Sequence, residues 1–582
     1  MILDKINSPE DLKKLPIEEL DDLAAEIRQG LMNRLSKIGG HFGPNFGIVE
    51  ATIALHYVFN SPVDKFVFDV SHQCYTHKIL TGRKYGYFDD SRFNDISGYT
   101  NPDESVHDFF NIGHTSTSVS LACGLAKGRD LRGAKENIIA IIGDGSLSGG
   151  EALEGLDFAS ELKSNFIIVV NDNDMSIAEN HGGLYSNLRA LRESGGKSEC
   201  NLFKAMGLDY IYVNDGNDIS SLIQAFNKVK DIDHPVVVHI NTQKGKGYKY
   251  AETNREEWHW HSPFDPETGA PKGGYNGESY EGNTCQYLLD KMKKDEKVVT
   301  LVAAVPVVIG FTEDKRKEAG SQFVDVGIAE EHAVAMASGI AKNGGKPIFA
   351  TNSTFFQRTY DQISQDLCIN GNAATLLNCN ASVYGLNDVG HLGIYDIPMM
   401  SNIPNLVYLA PVNYEEYMAM LDWSIEQNQY PVAIRMPCGP VKHTDEQVDT
   451  DYSSLNKYKV TKEGSGIAII ALGNFYNIGE DLAAKIEAAT GVEPTLINPR
   501  YITGLDTELL EKLKTNHTKI VTLEDGILSG GFGEKIASFY GPSEIKVFNY
   551  GLKKEFLDRY NVEDVMRDNR IVPELIMEDL GL

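Results

Sequence analysis

The sequence predicts an α/β protein made of three parallel-sheet domains. Short Ile/Val-rich runs are stopped by turn residues, such runs alternate with helical stretches three times over, and two of them end in matched polar turns. The run at 138–142 ends at Gly143-Asp144-Gly145, and the run at 166–170 ends at Asn171-Asp172-Asn173. Continuous apolar runs of this length fit strands buried on both faces of a parallel sheet. Both turns would then reach the carboxyl edge, where open α/β sheets bind ligands. Asp144 offers a carboxylate and Asn173 a carbonyl oxygen, hard donors that suit Mg²⁺ when the ion also holds a diphosphate. Gly145 lets the backbone approach phosphate closely. The helix expected next would aim free N–H groups at the anion.

Taken in order, Ser8-Pro9-Glu10-Asp11 is a helix start. A second helix is expected from about Pro16, with Leu20, Leu23, Ile27, Leu31 and Leu35 on one buried face, stopping before Gly39. The glycine-dense GGHFGPNFG (39–47), DVSHQCYTHK (69–78) and NIGHTSTS (111–118) are histidine-bearing loops of the first domain. After Asn173 the chain is polar and Gly-rich to about 199, which reads as a surface excursion. A strand at 236–240 follows, then a Pro- and Gly-rich linker at 256–274 that also contributes to a site. Trp258 and Trp260 in that linker fit either packing or the site. Further strands are expected at 298–303, 323–326, 347–351 and 374–377, then at 466–472, 494–497, 519–523 and 545–549. The implied domains are 1–279, 280–455 and 456–582.

The chain has 582 residues and a net charge of −28, which argues against nucleic acid or an anionic membrane as partner. Its seven scattered cysteines form no CxxC pair and read as reduced thiols, so the expected location is the cytoplasm. The N-terminus has no apolar signal core, and no apolar run approaches the length of a membrane span.

GGHFGPNFGIVE, DVSHQCYTHKILTGR, GHTSTS, GDGSLSGG, NDNDMSIAEN, KGKGYKYAE, VGIAEEHAVAMASG, STFFQRTYDQ and VGHLG occur in the order and spacing of one family. On these stretches the chain resembles the 1-deoxy-D-xylulose-5-phosphate synthase family of the transketolase superfamily over essentially its whole length. The resemblance implies two thiamine diphosphate-binding-fold domains, a C-terminal transketolase-type domain and a homodimer. It implies thiamine diphosphate and Mg²⁺ as cofactors, with pyruvate and an aldehyde, D-glyceraldehyde 3-phosphate, as substrates. Pyruvate would lose CO₂ and pass its two-carbon unit to the aldehyde, yielding a precursor of isoprenoids, thiamine and pyridoxal. The resemblance puts Asp144, Asn173 and the carbonyl of Met175 on the metal. It puts His72, Gly113, His114, Thr115, Gly145, Ser146, Asn173 and Tyr248 near the cofactor. Glu330 matches the acid that contacts the aminopyrimidine, and Phe355 the aromatic stacked on it. A carboxylate there favours the imino tautomer of the ring, and the cofactor is the electron sink. His41, His72, His259 and His391 match histidines of the cleft, any of which can relay protons near neutral pH.

The acceptor end departs from the family pattern. Arg358 and Arg435 match and are the expected substrate-binding residues. Asn352 stands where Tyr is usual, Asn380 where Arg is usual, Asn387 where Asp is usual, and Cys438 where the Arg of a PRG stretch is usual. The segment at 176–205 is also shorter than in the family, which could alter how the site closes. The expectation is weakened binding of a phosphorylated acceptor, or use of another aldehyde. Another thiamine enzyme and a non-catalytic homologue are the rival readings.

Overall fold

Side-chain alternation along the central strands sets the layers. Ile138, Ala140 and Ile142 pack in one cluster with helices Ser118–Leu131 and Gly150–Ala159. Ile139 and Ile141 pack in another with helices Leu20–Ile38 and Val49–Val58. Successive residues face opposite sides, so a strand with a helix layer on each face has no polar side.

The computed structural model describes residues 1–273 and 277–582. Gly274, the last residue of the expected linker, lies outside them. The chain divides into two compact units, Met1–Asn276 with Gly327–Ala329, and Gly277–Val326 with Glu330–Leu582. In the first unit the order across the sheet is Lys65–Phe68, Ile138–Gly143, Phe166–Asp172, Pro235–Asn241 and Asp209–Val213, all parallel. Helix Leu20–Ile38 buries Leu20, Leu23, Ile27, Leu31 and Leu35 as expected. It ends at Gly39, which has φ +78°; a Cβ there would lie 2.7 Å from the His261 carbonyl oxygen, so glycine is required twice over.

The second unit carries two sheets. One runs Val407–Leu409, Val432–Arg435, Thr375–Cys379, Lys346–Asn352, Val298–Val302 and Phe323–Asp325, all parallel. The other runs Lys459–Lys462, Thr495–Asn498, Gly466–Ala471, His517–Ile527 and Lys546–Leu552. Its first strand is antiparallel to its neighbour, so this sheet is mixed at one edge and not purely parallel. Lys459–Lys462 and Val407–Leu409 carry too short or too polar a pattern to stand out in the sequence. Among the described residues no helix is long and apolar enough to cross a membrane, and all seven cysteines are free.

The expected surface excursion after Asn173 holds a helix, Gly183–Glu193. Tyr185, Leu188 and Leu191 recur at three-residue spacing, are all buried, and join the cluster under the central strands. The polar and glycine-rich composition of the flanks masks this short apolar stripe. Leu191→Ala is expected to destabilise the protein by about 2–5 kcal/mol in urea unfolding, the range for emptying a fully buried leucine site.

Candidate active site

The two predicted ligand turns are neighbours. Gly143 pairs with Asn171 in register, so Asp144 and Asn173 leave adjacent strands at the same sheet edge. Asp144 is 1% exposed, and its Oδ2 accepts from Met175 N at 3.0 Å and Asn180 Nδ2 at 2.7 Å. Burial and then the neighbouring Asp172 raise its carboxyl above the ordinary range. The side-chain oxygens of Asn173 and Asn180 are buried with no hydrogen-bond partner. Buried oxygens in that condition are rare, and a cation satisfies them together with the Asp144 charge. Among the described residues no three His, Cys, Asp or Glu gather as a metal cluster. One carboxylate with neutral oxygens instead fits an ion that shares its shell with a phosphate. At Gly145 a Cβ would lie 2.8 Å from Ser176 Oγ, so only glycine lets the two turns close on each other.

Several residues that position these loops were not singled out from the sequence. Asp69, just past the strand Lys65–Phe68, accepts from Ser116 N at 2.8 Å and Ser118 N at 3.0 Å. It fixes the loop that carries Gly113, His114 and Thr115. Ser116 Oγ donates to the Ser146 carbonyl at 2.8 Å, joining that loop to the GDG turn. Asn45 Nδ2 donates to the carbonyls of His41 at 2.8 Å and His72 at 2.7 Å. Lys244 Nζ donates to the Ser176 carbonyl at 2.5 Å, and burial pulls its ammonium down to about 7. Their only sequence signal is membership of the Gly-rich motifs; an isolated Asp, Asn or Lys has no periodicity to betray it.

His41, His72 and His259 come together. Gly40–His41 pairs antiparallel with Trp260–His261, which sets His259 beside His41 at a ring separation of 5.7 Å. His41 and His72 are 5.0 Å apart, and His72 stacks on His259 at 5.5 Å. Desolvation, then Lys244, His72 and His41, hold His259 well below the usual imidazole range, so it is neutral at pH 7. Tyr248 does not present its hydroxyl with them. It is 7% exposed, packs against Phe42, Trp258 and Phe264, and donates to the Pro266 carbonyl at 3.1 Å. Trp258 is core, stacked on His261 at 4.1 Å, whereas Trp260 is exposed.

In the second unit Glu330 begins helix Glu330–Lys342. It is 3% exposed, and its Oε2 has no hydrogen-bond partner. Burial pushes its carboxyl up to about 7, against the opposing charge of Arg358. Phe355 meets His391 edge to face at 5.7 Å, and His391 Nδ1 lies 2.8 Å from Asp388 Oδ1. Arg435 is buried between two carboxylates: Nε donates to Asp396 Oδ2 at 2.7 Å, and Nη1 pairs with Asp525. With both edges of its guanidinium engaged, Arg435 serves as a buried counter-ion in this structure.

The model for 1-deoxy-D-xylulose-5-phosphate synthase matches residues 3–198 and 193–242. The transketolase pyrimidine binding domain matches 285–442, and the transketolase C-terminal domain 456–554. The 1-deoxy-D-xylulose-5-phosphate synthase of Caldanaerobacter subterraneus subsp. tengcongensis is 37% identical, over 99% of this chain and 99% of its own. That of Halothermothrix orenii is 38% identical, over 96% and 93%. The chain belongs to the 1-deoxy-D-xylulose-5-phosphate synthase family. Among solved structures, transketolase from Campylobacter jejuni aligns with 98% of this chain and all of its own at 16% identity and a TM-score of 0.45.

At the positions where this chain leaves the family pattern, the substituted side chains bond to one another or to backbone. Asn380 Nδ2 donates to Asn352 Oδ1 at 2.7 Å. Asn387 is exposed, and its Nδ2 donates to the Tyr560 carbonyl at 3.3 Å. Burial pushes the Cys438 thiol up to about 12, so it stays neutral.

Glu330 yields a test with two opposite readouts. Its folded carboxyl titrates near 7 against 4.5 ordinarily. The folded apoprotein therefore holds the proton more tightly, and stability is lost as pH rises from about 4.5 through 7. Glu330→Gln is expected to match the parent apoprotein near pH 4.5 and to exceed it by about 3 kcal/mol at pH 8 in urea unfolding. The same variant is expected to lose at least about a hundredfold in turnover, assayed as CO₂ release.

Proposed function

We propose that this chain binds thiamine diphosphate with Mg²⁺, decarboxylates pyruvate and transfers the two-carbon unit to D-glyceraldehyde 3-phosphate, forming 1-deoxy-D-xylulose 5-phosphate and CO₂. The observation that carries this reading is the pairing of full-length family membership with the partnerless oxygens of Asn173 and Asn180 beside buried Asp144. Asp144 and Asn173, with Met175, would hold the cation. Gly145 and Ser146 would face the diphosphate, and the Gly113–Thr115 loop fixed by Asp69 the cofactor body. Bound thiamine diphosphate supplies the carbanion equivalent and the electron sink. Glu330 would hold the aminopyrimidine in its reactive tautomer, with Phe355 against the ring. Neutral His259, beside His41 and His72, can accept a proton, and His391, oriented by Asp388, can move one at the acceptor end. We further propose a cytoplasmic homodimer. With Mg²⁺ chelated, CO₂ release from pyruvate is expected to stop and to return when Mg²⁺ is restored; release that persists without metal and cofactor would refute the reading.

A second reading concerns the acceptor, and the Asn352–Asn380 amide pair favours it. Two amides in place of Tyr and Arg offer phosphate no positive charge, Cys438 is neutral, and Arg435 is held by Asp396 and Asp525. Losing one such contact costs about 1.5–3 kcal/mol, or about ten- to a hundredfold in affinity. An unphosphorylated hydroxyaldehyde suits an amide-lined site better than a phosphate ester does. Steady-state kinetics with both aldehydes decide it. Comparable kcat/KM for the two supports the second reading, and strong preference for the phosphate ester at low micromolar KM refutes it.

A further inference from the structure

Helix Gly183–Glu193 touches both turns of the metal corner, one from each end. At its start, Tyr185 is 4% exposed, and its hydroxyl donates to the Gly145 carbonyl at 3.0 Å. At its end, Arg192 grips the two carboxylates that flank Asn173. Arg192 Nη1 donates to Asp172 Oδ1 at 2.8 Å and Oδ2 at 2.7 Å, and Nη2 lies 2.6 Å from Asp174 Oδ1. Asp172 is buried and also accepts from His239 Nε2 at 2.8 Å, while the other nitrogen of His239 bonds Tyr210 OH at 2.8 Å. Asp172 Oδ1 accepts in addition from Asp174 N at 3.0 Å. Asp174 has φ +58°, a conformation that a non-glycine residue keeps only when its surroundings enforce it.

We infer that this helix is a brace for the metal corner, in which Arg192 and Tyr185 are positioning residues that set the spacing of Asp144 and Asn173 for a divalent cation. The inference rests on the thiamine diphosphate and Mg²⁺ reading above. The physical argument is local. Asn173 sits between two residues tied to one guanidinium, so its backbone cannot shift without breaking ion pairs on both sides of it. The GDG turn is tied to the same helix through Gly145. The helix is in turn seated by Leu188 and Leu191 in the hydrophobic cluster, which makes it a rigid spacer. Groups that orient metal ligands without touching the metal typically carry about ten- to a hundredfold in metal affinity.

The test is isothermal titration calorimetry of thiamine diphosphate into the full-length apoprotein at a series of Mg²⁺ concentrations, beside thermal melts of the apoprotein. Arg192→Ala is expected to raise the half-saturating Mg²⁺ about tenfold or more. kcat at saturating Mg²⁺ is expected to stay within about twofold of the parent, because the ligands themselves remain. Tyr185→Phe removes one hydroxyl from a packed ring; it is expected to fold normally and to shift half-saturation about two- to fivefold. Arg192→Lys, a point charge without the fork, is expected to recover part of the loss. Half-saturation within twofold of the parent for both Arg192→Ala and Tyr185→Phe overturns the brace. So does a loss of affinity that only tracks a fall in apoprotein melting temperature. If Arg192→Ala does not fold, Tyr185→Phe decides alone. A parent that binds no thiamine diphosphate at any Mg²⁺ concentration would overturn the functional reading itself, a different result from a parent that binds and variants that bind equally.

Discussion

Three buried carboxylates stand at one edge of the first sheet, and the way each is satisfied governs that unit. Asp69 accepts from two backbone N–H groups, and Asp172 is met by Arg192 and His239. Asp144 has only one backbone N–H and one amide, and it keeps a raised affinity for its proton. A buried carboxylate is expensive unless opposite charge reaches it. Asp172 has its opposite charge built in, whereas burial raises the Asp69 carboxyl as it raises that of Asp144, and what sets Asp144 apart is the orphaned oxygens beside it. The third is incomplete within the described residues, and the partnerless oxygens of Asn173 and Asn180 make the deficit one of positive charge. The arrangement depends on parallel register: Gly143 opposite Asn171 brings two turns to one level.

The groups suited to chemistry share a second property, in that desolvation has moved them toward neutrality. His259 is held neutral, Lys244 is drawn down toward 7, and Glu330 is pushed up toward 7. Such shifts cost stability in the empty protein and place proton exchange near working pH. Arg435 shows the opposite outcome. Two carboxylates hold its guanidinium, and the result is a rigid structural ion pair at the end of strand Val432–Arg435.

The same contrast separates the motif turns of the first unit from the acceptor end. The GDG and NDN turns and the histidine loops sit in a dense lattice of backbone contacts, where one changed side chain would leave a neighbour unsatisfied. At the acceptor end, Asn352 and Asn380 satisfy each other, and Asn387 bonds to backbone.

Sequence by itself determined the α/β class, the central strands and the two ligand turns, because a strand buried on both faces must be a continuous apolar run and a turn that meets phosphate must contain glycine. Motif resemblance named Glu330, Phe355 and the histidines. It could not say that His41, His72 and His259 lie ring against ring, since His259 reaches His41 through the pairing of Gly40–His41 with Trp260–His261, and His72 is tied to His41 through Asn45. Nor could it find Asp69, Asn45 or Lys244, whose role is to bond backbone distant in sequence, or see that Arg435 is held by Asp396 and Asp525. The polar stretch after Asn173 read as an excursion because its apolar stripe is short. Only the tertiary structure seats it as a helix against both turns, for a side chain's partners are set by three-dimensional packing and leave no period in the chain.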